Sequence, residues 1–208
     1  DALRRIGIHP QCDEDKHTLF VPGDAAEASI AEKLAGFGLT SKSYILVHPT
    51  SRWMFKAWEI NKLAATINNL ASRGLPIILS AAPSKEESAY MDELRAALTH
   101  PVFDLSGQLN LKELGALMKH ARVYFGVDSM PMHLASAVGT PTVAIFGPTG
   151  AIKWAPWGVN YRVITAGFTC QPCGKAGCGD GGVSDCITAI TPQQVLSAID
   201  TMLLETLS

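Results

Sequence analysis

The sequence predicts an α/β domain in which a parallel β-sheet carries helices on both faces. Between residues 44 and 146, short apolar runs alternate with segments of helical periodicity, which is the order expected of a parallel sheet. In addition, 47% of the 208 residues are hydrophobic, which is enough for the core of one large domain.

Strands and helices can be assigned in order from apolar periodicity and from the residues that begin and end helices. Residues 44–48 form an apolar run typical of a buried strand, and the helical pattern that follows stops at Gly74. Asn110 and Thr191 are suitable N-caps for two later helices. The predicted strands are residues 44–48, 76–80, 101–105, 122–127, 142–146 and 161–165. The predicted helices are residues 25–37, 57–73, 86–98, 111–120, 131–138 and 192–204.

The first 43 residues precede this alternating pattern and are interpreted as an interdomain leader, with the domain itself at residues 44–208. The sequence begins at Asp1 without a Met and shows no signal-peptide pattern. We therefore expect a fragment, the back half of a longer protein.

Composition argues against several classes of function. The formal net charge of −2 leaves no electrostatic footprint for nucleic acid, and no polybasic run marks a membrane patch. No apolar stretch is long enough to cross a bilayer. Because nothing beyond the cysteine count suggests secretion, the cytoplasm is the predicted location.

Three loops follow predicted strands and should therefore lie together, because ligands of such sheets bind outside the carboxyl ends of the strands. The first loop, residues 48–56, offers the hydroxyl groups of Thr50 and Ser51 and the mobile charge of Lys56. That combination suits a diphosphate. The alternative is a polar loop that only caps the next helix.

The second loop spans residues 128–133. Ser129 and Pro131 are typical of a helix start, where free N–H groups stabilise an anion. Asp128 at the strand tip can accept hydrogen bonds from sugar hydroxyls, and His133 falls in the first helical turn. The alternative is that Asp128 caps the helix and His133 packs in the core.

The third loop, residues 146–150, contains Gly147 and Gly150, which permit close backbone approach or a positive φ. A plain turn is the alternative interpretation. Each loop is a weak signal alone, but their shared position in the sheet makes the set much stronger.

Four of the five cysteines lie in one Gly-rich segment: Cys170, Cys173, Cys178 and Cys186. Four thiolates in a short loop can close a tetrahedral zinc site, which would be structural because protein fills every position. Disulfides and free thiols remain the alternatives. Cys12 lies far away in the sequence and has no predicted role.

Together these segments resemble the glycosyltransferase family that contains the bacterial lipopolysaccharide heptosyltransferases. The motifs that carry the resemblance are residues 48–52 with Lys56 and Trp58, residues 127–129 and 133–135, residues 140–141, and residues 146–149. Among subfamilies, residues 154–157 look most like the enzymes that add a branching third heptose to the inner core.

The resemblance implies the C-terminal half of a two-domain GT-B enzyme with Rossmann-like domains. Such an enzyme transfers heptose from ADP-heptose to the lipopolysaccharide inner core, inverts the anomeric configuration and needs no cofactor for catalysis. Its own N-terminal domain would supply the acceptor side and the catalytic base, so this chain alone should not transfer sugar. The implied location is the cytoplasm, extending to the cytoplasmic face of the inner membrane.

The resemblance also implies roles for individual residues. Thr50, Ser51 and Lys56 would contact the diphosphate, with Lys56 stabilising the leaving group. Glu86 would bind the adenosine, although the loose spacing there fits Glu87 equally well.

The remaining donor-site residues implied by the resemblance are Asp128, Ser129, Met130, Pro131, His133, Gly147 and Thr149. Asp128, Ser129 and His133 would hold the phosphate and the sugar. Met130 is a departure, because some members of the family carry Gly there, and its bulk would narrow the pocket and affect the choice of sugar. Two other interpretations remain: a related transferase or epimerase with a different nucleotide-sugar, and a non-catalytic metal-binding module.

Overall fold

The computed structural model describes residues 4–12, 15 and 17–206 of the chain; parts of the predicted leader and the last two residues lie outside this range. Its strands are β1 (Ile45–His48), β2 (Ile77–Leu79), β3 (Phe103–Asp104), β4 (Val123–Val127), β5 (Thr142–Ile145) and β6 (Tyr161–Ile164). All six form one parallel sheet in the order β3-β2-β1-β4-β5-β6. The predicted fold class is therefore confirmed.

Helices cover both faces of this sheet. They are α1 (Asp24–Gly36), α2 (Ile60–Ser72), α3 (Lys85–Ala97), α4 (Leu111–His120), α5 (Met130–Ala137), α6 (Ala151–Trp154), α7 (Asp185–Thr188) and α8 (Pro192–Glu205). Helices α2, α3 and α8 pack on one face, and α1, α4 and α5 pack on the other. Because the helices cover both faces, a ligand can reach the sheet at the ends of its strands.

Alternation along the strands divides the core into two layers. In β1, Ile45 and Val47 belong to the layer under α2, whereas Leu46 belongs to the opposite layer. Side chains of a strand point alternately to the two faces, so a strand covered on both sides is apolar throughout. This explains the unbroken burial of β1.

Several helix ends follow the predicted signals. Asn110 and Thr191 form capping boxes at the starts of α4 and α8. Gly74 adopts φ 78°, a left-handed conformation that suits glycine at the end of α2. Helix α1 lies within the segment predicted as a leader, and it contributes Ile30 and Leu34 to the core beside α4. The boundary at residue 43 stays a prediction.

The strand order places a topological switch point between β1 and β4. The chain runs outward from β1 through β2 to β3, and then returns to build β4, β5 and β6 on the other side. Adjacent loops diverge at such a point and leave a crevice at the carboxyl ends of the strands. Among the described residues, no helix is long and apolar enough to span a membrane.

Candidate functional site

A cavity of about 790 Å³ lies at this crevice. The loops after β1, β2, β4 and β5 line it, together with the start of α4. Its size is within the range of small-molecule sites. All three predicted loops therefore contribute to one cavity.

An ion pair between two loops lies in the wall of the cavity. Lys56 ends a short 3₁₀ turn after β1, and its Nζ donates to Asp128 Oδ2 at the tip of β4, at 2.7 Å. The two side chains are only 9% and 7% exposed. Thr149 from the loop after β5 also donates its hydroxyl hydrogen to Asp128 Oδ2. The charge of Lys56 is therefore held in place and balanced by a carboxylate.

Helix α5 begins directly after Asp128, with Ser129 at its N-cap and Pro131 in the first turn. The Ser129 hydroxyl does not cap the helix; it donates to the carbonyl of Val127 instead. Asp128 does not cap the helix either, because it pairs with Lys56. The N-terminus of α5, the positive end of its dipole, consequently lines the cavity with no side chain capping its backbone N–H groups.

His133 lies on the first turn of α5, lines the cavity and is half-buried. Burial lowers its pKa, and nearby Lys56 lowers it further while Asp128 opposes the shift. The neutral imidazole is thus favoured at neutral pH. A neutral ring can donate one hydrogen bond and accept another, which suits contact with a phosphate or a sugar hydroxyl.

At the other end of the cavity, a buried carboxylate lies where the adenosine was predicted to bind. Glu87 accepts hydrogen bonds from Thr50 Oγ1 at 2.5 Å and from the backbone N–H of Ala82 at 3.0 Å. Glu86, by contrast, is exposed and lies outside the lining. Ser84 caps α3 by accepting from Glu87 N, which directs residue 87 rather than 86 toward the sheet. Of the two candidates, only Glu87 lines the cavity, so the geometry favours Glu87, and the adenosine contact itself stays a prediction.

The same end contains a buried histidine, His48, which begins the first predicted loop but had no predicted role. His48 Nδ1 lies 3.0 Å from Ser80 Oγ, at the carboxyl ends of β1 and β2. Burial lowers the pKa of His48 to about 4, and the charge of Glu87 offsets only part of this effect. Ala82 in the loop after β2 and Leu109 just before α4 also line the site and were not predicted. The rule that ligands bind at strand ends applies equally to β2 and could have identified its loop.

Only part of the third predicted loop reaches the cavity. Thr149 reaches the cavity, whereas Gly147 and Gly150 do not line it, and neither has a positive φ. A Cβ on Gly147 would lie 2.4 Å from the Ile187 side chain, so the glycine is needed for close packing against α7.

The cysteine-rich segment, residues 170–186, supports two of the site loops. Gln171 Nε2 donates to the carbonyl of Gly147 at 2.9 Å, and Ser184 Oγ donates to the carbonyl of Phe55 at 3.0 Å. One contact holds the loop that carries Thr149, and the other holds the turn that ends in Lys56. The segment is therefore connected to both partners of Asp128.

The cysteines themselves are free thiols in this structure. Cys170, Cys173 and Cys178 are exposed, and Cys186 is buried. Burial raises the pKa of Cys186, and the other three thiols raise it further. Even so, within the described part of the chain no group of three or more His, Cys, Asp or Glu side chains is arranged to hold a metal ion. The metal site stays a prediction.

Comparison with known proteins agrees with this geometry. Residues 11–183 match the model of glycosyltransferase family 9 (heptosyltransferase). The chain belongs to this family. The resemblance inferred from the loop motifs is therefore confirmed.

Among curated relatives, lipopolysaccharide heptosyltransferase 3 of Escherichia coli is 40% identical over 134 residues. That match covers 64% of this chain but only 38% of the relative. The family 9 chain thus spans well under two thirds of the length of this relative.

Solved structures of several glycosyltransferases share the fold. A family 9 glycosyltransferase from Veillonella parvula superposes with a TM-score of 0.82 at 20% identity, over 98% of this chain and 58% of that one. E. coli heptosyltransferase WaaC with ADP superposes with a TM-score of 0.65 at 20% identity, over 96% and 53%. The iron-containing glycosyltransferase TibC from enterotoxigenic E. coli gives 0.59 at 18%, over 82% and 47%. At these identities the likeness shows the fold alone.

Proposed function

We propose that this chain is the donor-binding half of an inverting glycosyltransferase that transfers heptose from ADP-heptose to the lipopolysaccharide inner core. The observation that carries the proposal is the buried Lys56–Asp128 pair in a cavity at the switch point of a family 9 chain. The 40% identity to a heptosyltransferase 3 supports the choice of sugar and acceptor.

The cavity offers a different chemistry at each end, which suggests how the donor binds. Glu87 would accept hydrogen bonds from the ribose hydroxyls, because a carboxylate retains acceptor capacity beyond its two present partners. Lys56 and the start of α5 would hold the diphosphate. This order leaves the heptose near Met130 and His133 at the mouth of the cavity.

This arrangement would favour departure of ADP. As the glycosidic bond breaks, negative charge grows on the diphosphate. A fixed ammonium group and a helix dipole aimed at that phosphate stabilise the transition state more than the ground state. Asp128 and Thr149 would keep Lys56 positioned, so little reorganisation is needed when the charge appears.

Nucleotide titration tests the donor assignment. Calorimetry with ADP and with UDP, in buffer containing a chelator, should give measurable binding of ADP and weaker binding of UDP. Tighter binding of UDP would favour the alternative of a related transferase or epimerase with another donor. No binding of either nucleotide would remove the donor-site assignment altogether.

We further propose that the acceptor and the catalytic base are supplied by a second, N-terminal domain, and that the complete enzyme acts in the cytoplasm at the inner membrane. Holding two reactants together is worth roughly 7–11 kcal/mol, and one domain alone lacks that positioning. An assay of this chain with ADP-heptose and a core-lipid acceptor should therefore show no turnover. Turnover comparable to that of a two-domain relative would instead require a base within this chain, such as Asp128 or His133.

We also propose that Cys170, Cys173, Cys178 and Cys186 converge on one thiolate-bound ion, with zinc as the first choice. The four thiols are free and lie in one short segment, and the other three raise the pKa of Cys186; these observations support the proposal. The ion would be structural, because four protein ligands leave no open position for chemistry.

A further inference from the structure

Two exposed tryptophans flank the mouth of the donor cavity. Trp53 is 57% exposed and Trp154 is 45% exposed, and both line the cavity. Trp58, only five residues after Trp53, is buried in the core at 1% exposure. Large exposed aromatic rings beside a cavity of ligand size are more typical of ligand contact than of a plain surface.

Each of these rings lies against a residue of the proposed donor site. Lys56 Nζ is 5.3 Å from the centroid of the Trp53 ring. His133 meets Trp154 edge to face, with 6.3 Å between ring centroids. Trp53 therefore borders Lys56 of the ion pair, and Trp154 borders His133 on α5, the helix that begins directly after Asp128.

We propose that Trp53 and Trp154 form the subsite for the sugar ring of the donor. The proposal rests on the proposed function, because the position of the diphosphate determines which end of the cavity the sugar occupies. The C–H faces of a pyranose are apolar, and they pack favourably on the electron-rich face of an indole ring. A nucleotide whose phosphates contact Lys56 would present its sugar between the two rings.

The neighbouring contacts favour a sugar over a purely apolar occupant. Asp128 and His133 bring polar groups to the same mouth, and these can bind hydroxyls at the edge of the ring. Aromatic faces combined with nearby hydrogen-bonding groups fit a molecule with apolar faces and a polar edge. The tryptophans would thus determine sugar specificity, whereas Lys56 and Glu87 would hold the nucleotide.

The test separates the affinity for the sugar from the affinity for the nucleotide. For each variant of this chain, calorimetry measures the Kd for ADP and the Kd for ADP-heptose. Trp53→Ala and Trp154→Ala should each weaken ADP-heptose binding by about 3- to 10-fold, while ADP binding stays within about twofold. Trp154→Phe should retain most of the sugar affinity, because it keeps an aromatic face.

Trp157→Ala is the matched control, since Trp157 is 54% exposed but lies outside the donor cavity, and it should change neither affinity. Equal losses for ADP and ADP-heptose in the Trp53 and Trp154 variants would overturn the proposal, because the rings would then only support the phosphate site. Unchanged affinities in both variants would overturn it as well. If the wild-type chain bound neither ligand, the proposed function itself would fail, which is a different outcome.

Discussion

Substitutions at the two members of the buried Lys56–Asp128 pair should change the affinity for ADP in opposite directions. Lys56→Met keeps the apolar stem but removes the ammonium group that would contact the diphosphate. A charge-assisted hydrogen bond contributes about 1.5–3 kcal/mol, so the Kd for ADP should rise by about 10- to 150-fold. The measurement is calorimetric titration of ADP at moderate salt.

Asp128→Asn should have the opposite effect on ADP binding. Asp128 neutralises Lys56 at 2.7 Å, and its charge also repels an incoming diphosphate. Two unit charges about 4 Å apart interact by about 4 kcal/mol in partly buried surroundings, although the loss of Lys56 positioning offsets much of this. We therefore expect ADP to bind about 3- to 10-fold more tightly.

Stability measurements provide the control for this pair. Removing one member of a buried ion pair costs about 3–5 kcal/mol, because the other charge is left unpaired. The double variant Lys56→Met/Asp128→Asn leaves no unpaired charge and should unfold at a higher temperature than Lys56→Met alone. If Asp128→Asn weakened ADP binding as much as Lys56→Met does, Asp128 would contact the ligand directly and the neutralisation argument would be refuted.

Three further predictions concern pH, loop support and metal. The pKa of His48 is about 4 in the folded chain, below its ordinary value, so its contribution to the free energy of unfolding is fully present above pH 6.5. That contribution falls toward pH 4, by up to about 1.4 kcal/mol per pH unit. Between pH 7.5 and pH 5, urea unfolding of His48→Asn should therefore show a smaller loss of stability than urea unfolding of the wild type. Gln171→Ala should weaken ADP binding by about 2- to 10-fold through the lost contact to the loop after β5, whereas Gln193→Ala on α8 should not. Elemental analysis should find about one ion per chain in the wild type and in Cys12→Ser, but none in Cys186→Ser; a metal-free wild type purified without chelator would contradict the proposed ion site.

The framework of the sheet was predictable from the sequence because buried parallel strands have a clear pattern. The apolar run of β1 was assigned almost to the residue. The edge strand β3 was overestimated: residues 101–105 were predicted, but only Phe103 and Asp104 pair with β2, and both are only half-buried. An edge strand has one neighbour, so its length depends on that neighbour rather than on its own sequence.

The choice between Glu86 and Glu87 shows how one helix start affects a site assignment. Both residues occupy the first turn of α3, and they differ by about 100° around the helix axis. The pattern Ser84-x-x-Glu87 is a recognised helix-start signature, and it places the cap one residue before Lys85. Given that start, Glu87 would have been the choice, because the same register makes it the buried residue of the turn.

The pairing of Lys56 with Asp128 could not be predicted in the same way. Each residue was assigned to a loop that follows a strand, and both loops do lie at the site. Alternation of strands and helices is compatible with several strand orders, so it does not say which strands are neighbours. Only the order in which β4 lies beside β1 brings residues 56 and 128 together.

The cysteine-rich segment contacts two loops of the donor site, so a change in its conformation should change the geometry of that site. Ser184 holds the carbonyl of Phe55, next to Lys56, and Gln171 holds the loop that carries Thr149. Any change that repacks this segment, such as loss of a bound ion or oxidation of its exposed thiols, would shift two backbone segments whose side chains both bond to Asp128. Displacements of about 1 Å at such a site can cost about 100-fold in rate. The proposed structural ion would therefore affect the donor site without contacting the ligand.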